Sequence, residues 1–186
     1  LTPVVVTGVT PTITEIDKEY AVIHMSYVVE SMNDKKSHYY QVDEYYNVTY
    51  NRSSEMVKLL AFDRYQESFF DSGYISKDRN SISMGVTNEP AEYVTSEDYG
   101  ILAFVRLGQL WMYKYNDSSL TNIFSYPQDS YSDARTLNTN LDINIADMDE
   151  DGNIYFVVYG YMNRGVHEGK NGMSLYYYSA ESMTTQ

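Results

Sequence analysis

The stretch DMDEDGNIYFVVYGYMNRGVHEGKNGMSLYYYS, which runs from Asp147 to Ser179, determines the predicted fold. An acidic turn opens it, an apolar run follows, and a Gly-rich excursion leads into a run of tyrosines. Gly, Asn and Asp between runs of β-branched and aromatic residues are typical of a β-hairpin. The stretch therefore predicts two antiparallel strands joined by a long, decorated loop.

An earlier stretch has the same pattern without the long loop. YGILAFV (Tyr99–Val105) resembles DGNIYFV (Asp151–Val157), with an offset of 156 − 104 = 52 between the phenylalanines. LWMYKY (Leu110–Tyr115) resembles MSLYYY (Met173–Tyr178), with an offset of 178 − 115 = 63. The difference, 63 − 52 = 11, predicts an insertion within GYMNRGVHEGKNG, where the earlier copy turns tightly at RLGQ.

A third correspondence extends the repeat towards the N-terminus. YNRSS (Tyr50–Ser54) recurs as YNDSS (Tyr115–Ser119), with an offset of 115 − 50 = 65. The first copy is expected to open with EYAVIHMSYVVE and a long polar tip, SMNDKKSH, and the last copy to end after its third strand. These units predict an all-β fold of repeated antiparallel hairpins, propeller-like but incomplete at about three blades, since a closed ring needs about four to eight. An open β-sandwich made from the same hairpins is the alternative.

The apolar pattern places strands within this fold. ILAFV and YFVVYGYM are nearly continuous apolar runs that predict inner strands, whereas INIAD alternates and predicts an edge strand. The 186 residues fit a single domain over 1–186, with 1–18 as an N-terminal extended segment or edge strand. The repeat predicts a strand over Met56–Phe62. A helix stays open for Met56–Phe70, because Ser53 or Ser54 could cap it, Gly73 could end it and its apolar residues have near-helical spacing.

Composition narrows the classes of partner. The chain has twenty-six acidic and thirteen basic residues, which give a formal charge of −13. This charge opposes binding to nucleic acid or to an anionic membrane surface. It favours cations or a basic protein as partners. The absence of cysteine excludes a zinc–thiolate site. No apolar run reaches the roughly 18 residues that a membrane-spanning helix needs. Twenty-one tyrosines indicate pleated, half-exposed surfaces.

The first candidate site is the acidic turn, where Asp147, Asp149 and Asp151 alternate ahead of Gly152. Three carboxylates and a turn glycine match the start of a Ca²⁺ loop. The closing ligand is missing, because positions nine and twelve of such a loop are Tyr155 and Val158. A solvated hairpin turn is the competing interpretation.

The second candidate site is the inserted loop. It carries Asn163, Arg164, His167 and Glu168 among glycines, and loops held by a rigid scaffold concentrate binding residues. We interpret these four as ligand- or partner-binding residues. They are not assigned as catalytic, because no third group orients the histidine as a base.

Tyrosine clusters are the third candidate. HYYQVDEYYNVTY (His38–Tyr50) and YYY (Tyr176–Tyr178) offer aromatic faces beside carboxylates, which suit sugar rings or a protein interface. Packing along one face of a strand is the competing interpretation. His24 and His38 have no partner at metal-ligand spacing and are interpreted as structural. The chain contains no phosphate-binding loop, dinucleotide motif or nucleophile-elbow motif.

The C-terminal run ADMDEDGNIYFVVYGYMNRGVHEGKNGMSLYYY resembles uncharacterised, envelope-anchored β-propeller-like proteins of Gram-positive anaerobes, and LGQLWMYKYNDSSLTNIFSY is similar to their repeat units. The resemblance implies a propeller-like architecture and a location outside the cytoplasmic membrane, in the extracellular space or cell envelope. It implies no catalytic residues. The start of the chain at Leu1 is typical of a processed or trimmed N-terminus.

Two functions follow as expectations. The first is a non-enzymatic, extracytoplasmic binding or sensing domain that presents loops on a rigid β scaffold to a protein or ligand partner. The second is a carbohydrate-binding module, or a glycoside-active enzyme, that uses tyrosine platforms and a carboxylate pair. No cofactor is expected apart from the Ca²⁺ hypothesis. The remaining blades are expected on another chain or on a second copy.

Overall fold

The structure is a computed structural model that describes residues 2–9, 11–33, 36–79, 81–84, 92–125, 141–162 and 164–186. Within these ranges the protein is all-β, with thirteen strands in antiparallel sheets and a single 3-10 turn at Ser72–Tyr74. None of the helical structure in the described ranges is long and apolar enough to cross a bilayer. The chain forms two compact units, Leu1–Asp71 and Ser72–Gln186, where the sequence predicted one domain.

The N-terminal unit is one antiparallel sheet, which we call sheet A. Its strands are β1 (Val4–Val5), β2 (Thr12–Ile16), β3 (Tyr20–Asn33), β4 (Lys36–Asn51) and β5 (Met56–Phe70). Their order across the sheet is β1-β3-β4-β5, and β2 also pairs with β3. The N-terminal segment therefore supplies short edge strands on one side, and β5 forms the edge on the other side.

Two local predictions in sheet A have clear outcomes. Met56–Phe70 is a strand, and the helix alternative is wrong, because backbone pairing with β4 along its whole length overrides a weak helical pattern. The polar tip is shorter than expected. Ser31 pairs with His38, and Asn33 pairs with Lys36, since backbone groups pair in a ladder whatever the polarity of the side chains.

The C-terminal unit contains two four-stranded sheets. Sheet B comprises β6 (Tyr93–Thr95), β7 (Ile101–Arg106), β8 (Gln109–Lys114) and β9 (Ser119–Phe124). Sheet C comprises β10 (Leu141–Met148), β11 (Ile154–Tyr161), β12 (Asn171–Ser179) and β13 (Thr184–Thr185). In both sheets each strand pairs with the next strand along the chain. The predicted inner positions of β7 and β11 and the predicted edge position of β10 are confirmed. The continuous apolar run also predicted that β11 packs on both faces, and this is wrong, because its residues alternate between buried and more exposed positions. The last copy has a fourth strand, β13, contrary to expectation.

Strand register corrects the internal repeat. Phe104 faces Trp111 in sheet B, and Phe156 faces Tyr176 in sheet C. The offset from β8 to β12 is therefore 176 − 111 = 65 instead of 63, and the insertion is 65 − 52 = 13 residues instead of 11. The sequence alignment was wrong by two residues because a shift of two keeps every side chain on the same face, so alternating tyrosines match either way.

Both Asn-Ser segments lie at four-residue hairpin connections, but the predicted offset of 65 is wrong, because the last paired residues before the two turns, Asn51 and Lys114, are 114 − 51 = 63 apart. The strands around the two turns also differ in length. Asn51 pairs with Met56 across one four-residue connection, and Lys114 pairs with Ser119 across another. β4 has 16 residues, whereas β8 has 6. The hairpin turn is therefore common to sheets A and B, while the matched four-stranded arrangement belongs to sheets B and C.

Sheets B and C pack face to face around one core. Sheet B contributes Ala103, Leu110 and Met112, and sheet C contributes a second set of buried residues: Ile143, Ile154, Phe156, Val158 and Tyr178. Phe124 and Phe156 meet edge to face at 5.3 Å between ring centroids. Burial of this apolar surface drives the two sheets together.

Gly152 lets the acidic turn of sheet C approach sheet B. Its φ is +87°, and a Cβ there would lie 3.1 Å from Ile101 Cδ1 and 3.2 Å from Met112 Sδ. A side chain at this position would meet both a backbone penalty and a steric one. The glycine is therefore required by packing as well as by the turn.

Polar contacts fix the two sheets at their margins. The Glu92 carboxylate accepts hydrogen bonds from the backbone N–H of Ile145 and, at 2.7 Å, from Asn144 Nδ2. The N–H of Glu97 donates to Glu150 Oε1 at 2.9 Å. At the far margin, Thr185 Oγ1 donates to the carbonyl of Ile123 at 2.8 Å. These directional bonds set the orientation that apolar packing leaves free.

Candidate binding surface

One face of sheet A gathers aromatic and acidic side chains from three neighbouring strands. Residues directly opposite each other in an antiparallel sheet point to the same face. The register aligns His24 of β3, Tyr45 of β4 and Asp63 of β5 in one row, and Ser26, Asp43 and Tyr65 in the next row. Glu67 follows on the same face. We call these six residues the aromatic–acidic face: His24, Asp43, Tyr45, Asp63, Tyr65 and Glu67.

A histidine and a tyrosine form the floor of this face. The His24 and Tyr45 rings stack at 4.5 Å between centroids with an interplanar angle of 14°. His24 Nε2 lies 2.8 Å from Asp43 Oδ1, and both side chains are about a quarter exposed. Each ring and carboxylate is thus held by a neighbour. A surface whose groups are already ordered loses little entropy on binding.

Tyr65 forms one wall of the face. Its ring meets Tyr45 edge to face at 6.0 Å, and the residue is 63% exposed. Asp63 and Glu67 flank it on β5, and the three side chains border a shallow depression together with Asp43 and Tyr45. The depression therefore has aromatic surface and several carboxylates open to solvent.

The opposite face of the same strands is a supporting hydrogen-bond cluster. Glu44 accepts a hydrogen bond from Tyr46 at 3.0 Å, and Arg64 Nε lies 3.7 Å from its other oxygen. Burial raises the pKa of Tyr27 and of Tyr46, and hydrogen bonds to Glu44 raise each pKa further. Both tyrosines stay protonated at neutral pH and donate to Glu44, Tyr27 from the neighbouring strand β3 and Tyr46 from within β4.

The inserted loop lies at the tip of the β11–β12 hairpin. It is a compact turn in which the N–H of Met162 donates to the carbonyl of Lys170 at 2.8 Å. Of the four predicted binding residues, Arg164 is half-buried, while His167 and Glu168 are exposed. Asn163 lies outside the described residues. The structure thus presents this tip to solvent, and its partner-binding role stays a prediction.

The acidic turn uses its middle carboxylate internally. Asp149 accepts hydrogen bonds from the N–H of Asn153 at 2.8 Å, from the N–H of Asp151 at 3.1 Å and from Asn153 Nδ2 at 2.7 Å. The hydrogen bond from the Asn153 side chain lowers the Asp149 pKa, as do the backbone donors. Asp147 belongs to β10, opposite Tyr155. This geometry favours the turn interpretation for Asp149.

Metal binding has no further support from side-chain placement. Across the described residues, no three His, Asp or Glu side chains lie close enough together to hold an ion. The Ca²⁺ hypothesis for Asp147, Asp149 and Asp151 remains a sequence prediction.

The structural interpretation of the two early histidines gains a physical basis. His24 pairs with Asp43, and His38 Nδ1 lies 2.6 Å from Asp71 Oδ2. Both are side-chain pairs within the N-terminal unit. Of the aromatic–acidic face, sequence reasoning singled out only the part on β4. It missed His24, Asp63 and Tyr65, which are brought in by strand pairing.

Known proteins provide no identification. No family model, no curated protein and no solved structure matches this chain.

Proposed function

We propose that this protein is a non-enzymatic binding domain whose ligand-contacting surface is the aromatic–acidic face of sheet A. One observation carries the proposal: Tyr65 stands exposed beside Tyr45 over a depression bordered by Asp43, Asp63 and Glu67. Exposed aromatic residues are enriched where proteins bind partners.

The chemistry of the face favours a cationic partner. Three carboxylates and the π faces of two tyrosines attract Lys or Arg side chains through charge and cation–π interactions. The overall charge of −13 would speed the encounter with a basic protein segment. A basic, extended segment of a partner protein is the proposed ligand class.

A glycan is the second candidate, supported by the placement of Asp43 and Asp63 on the same depression as both tyrosines. Sugar rings stack on aromatic faces, and carboxylates accept hydrogen bonds from hydroxyl groups. Hydrolysis would also need a carboxylic acid kept protonated by an apolar pocket. Asp63 is exposed and Asp43 is paired with His24, which favours binding over turnover.

The proposed architecture places sheets B and C as neighbouring blades of an incomplete, propeller-like array. Two consecutive four-stranded meanders that pack face to face support this arrangement. The proposed location is outside the cytoplasmic membrane, in the cell envelope or extracellular space. The sequence resemblance is the basis for that location.

The test is direct binding to immobilised ligands. The binding of the protein is measured at two salt concentrations to Lys/Arg-rich peptides, to acidic peptides of equal length and to a glycan array. Any glycan that the protein retains is then tested in a hydrolysis assay. Tyr65→Ala should weaken binding by roughly fivefold or more, the loss of about 1 kcal/mol expected for an interface aromatic residue. Tyr50→Ala is the matched control, because Tyr50 is exposed on β4 but points to the opposite face.

The outcomes separate the candidates. Salt-sensitive retention of basic peptides that depends on Tyr65 supports the leading proposal. Retention of a glycan supports the second candidate, and turnover abolished by Asp43→Asn or Asp63→Asn would show an enzyme. Equal binding by the wild type and by Tyr65→Ala would show that the aromatic–acidic face is not the ligand-binding surface.

A further inference from the structure

Sheet C leaves its outer face open, although the equivalent face of sheet B is buried. The strand offsets of 52 and 65 match Ala103 with Tyr155 and Leu110 with Leu175. Ala103 and Leu110 are each 0% exposed, whereas Tyr155 is 48% and Leu175 is 66% exposed. The same position in the repeat is therefore core in one sheet and surface in the next.

The open surface is a continuous stripe on β11 and β12. Tyr155 faces Tyr177, and Tyr159 faces Met173. The Tyr155 and Tyr177 rings lie 4.7 Å apart between centroids. We call this surface the outer stripe and define it by five residues that alternate on the two strands: Tyr155, Tyr159, Met173, Leu175 and Tyr177. An exposed apolar patch of this kind marks an interaction site.

The packing of sheet C against sheet B indicates which kind of surface can cover the outer stripe. Sheet C presents alternate large apolar residues to sheet B, chiefly Ile154, Phe156 and Val158 on its second strand. It thereby covers Ala103, Leu110 and Met112. Because the outer stripe occupies the positions equivalent to these three, the matching occupant is another sheet with the same inner face.

A second copy of this chain does not offer that face. In sheet C the matching face is already packed on sheet B. Its equivalent in sheet B comprises Leu102, Phe104, Trp111 and Tyr113, which are at most 7% exposed. A head-to-tail contact between two copies would have to uncover one of these two buried faces.

We infer that the outer stripe of sheet C is the docking surface for a further four-stranded sheet of the same repeat type, supplied from outside residues 1–186. The inference rests on the proposed propeller-like array, whereas the ligand-binding role of sheet A stands apart from it. The docking sheet presents alternate aliphatic and aromatic residues on its second strand. It continues the direction of stacking from sheet B to sheet C.

The experiment supplies such a sheet and measures access to the stripe. The pairing of Tyr178 with Thr185 matches that of Tyr113 with Leu120, which makes Gln186 equivalent to Thr121. Residues 122–186 are therefore appended after Gln186, so that a second copy of sheet C follows the same connection that joins sheets B and C. Leu175→Cys in the original sheet gives a unique thiol, because the chain contains no cysteine. The rate of thiol alkylation is compared between the parent chain and the extended chain.

Docking should slow alkylation of the Leu175→Cys thiol at least tenfold in the extended chain. Val166→Cys, at the exposed hairpin tip, is the matched control and should react equally fast in both chains. Phe156→Asp and Val158→Asp in the added copy alone should restore fast labelling of Leu175→Cys, since charges would then face the stripe.

Several results would overturn the inference. One is unchanged labelling in the extended chain, whether the added copy is folded or unfolded by circular dichroism. Another is slow labelling in the parent chain together with a dimer mass in sedimentation, which would assign the stripe to a second copy. Peptide or glycan binding through Tyr65, measured on the same proteins, tests the function of sheet A independently.

Discussion

Replacing Gly152 with alanine tests whether the acidic turn is held by packing as well as by its backbone conformation. At φ +87° an alanine pays about 1–2 kcal/mol for the left-handed region. Its Cβ would also lie 3.1 Å from Ile101 Cδ1 and 3.2 Å from Met112 Sδ. Ile101 Cδ1 ends its side chain, and Met112 Sδ lies one bond from the end of an unbranched one, so their displacement adds about 1 kcal/mol, at the low end of overpacking costs. The expected loss in the free energy of unfolding is roughly 2–3 kcal/mol.

Gly165→Ala is the matched control for the backbone part of this loss. Gly165 has a φ of +80°, and nothing lies within 4 Å of a Cβ built on it. This variant should lose only the conformational part, about 1–2 kcal/mol or less. The difference between the two variants therefore measures the packing of the turn against sheet B.

The assay is urea unfolding followed by the fluorescence of Trp111, the one tryptophan of the chain, which is fully buried in sheet B. Ile101→Val removes the nearest atom, Ile101 Cδ1, so its own cost should be smaller in the Gly152→Ala background than in the wild type. A loss for Gly152→Ala no larger than that for Gly165→Ala would refute the reasoning. Strict additivity of Gly152→Ala with Ile101→Val would do the same.

Three further predictions concern the hairpin tip and the acidic turn. Trimming Tyr161–Asn171 to a two-residue turn like Leu107–Gly108 should leave the thermal midpoint nearly unchanged, because the hairpin tip is exposed. Global unfolding of this variant, measured by circular dichroism, would instead show that the insertion is needed for the fold. Asp149→Ala should destabilise the protein at pH 7 by about 1 kcal/mol, because the hydrogen bonds that the carboxylate accepts within the turn are lost. The folded pKa of Asp149 is depressed, so that contribution is present above its unfolded value of about 3.9 and is lost as pH falls through the lower folded pKa. A stability difference that does not shrink as the pH of denaturant titrations is lowered below the unfolded value would contradict this assignment. A calcium chelator should leave the thermal midpoint unchanged, since the Asp149 oxygens already accept turn hydrogen bonds, and a fall in the midpoint would restore the Ca²⁺ hypothesis.

Prediction from sequence succeeded where the deciding signal is local. Nearly continuous apolar runs identified β7 and β11 as inner strands, and alternation identified β10 as an edge strand. Turn residues identified RLGQ as a tight turn. The tight turn follows from Leu107 and Gly108, which both adopt positive φ. The repeat favoured a strand over a helix for Met56–Phe62, whereas the choice for Met56–Phe70 as a whole stayed open until strand pairing settled it.

Two of the errors share one cause. The two-residue misalignment of β12 and the overlong tip of the β3–β4 hairpin both concern which residue pairs with which across strands. A period of two makes shifts of two invisible to the side-chain pattern, and polar residues pair as readily as apolar ones through their backbones. The register is therefore fixed by contacts that the local sequence does not encode.

The sequence alone determined that this chain is all-β and built from antiparallel hairpins with an acidic, tyrosine-rich surface, because strand pattern, turns and charge are properties of neighbouring residues. Only the tertiary structure decided that His24, Asp43 and Tyr65 share one face, since they lie on three strands and meet through cross-strand pairing. The tertiary structure likewise decided that Ala103 is buried and Tyr155 is open. Burial depends on which sheet packs against a face, and that partner is chosen across the whole chain.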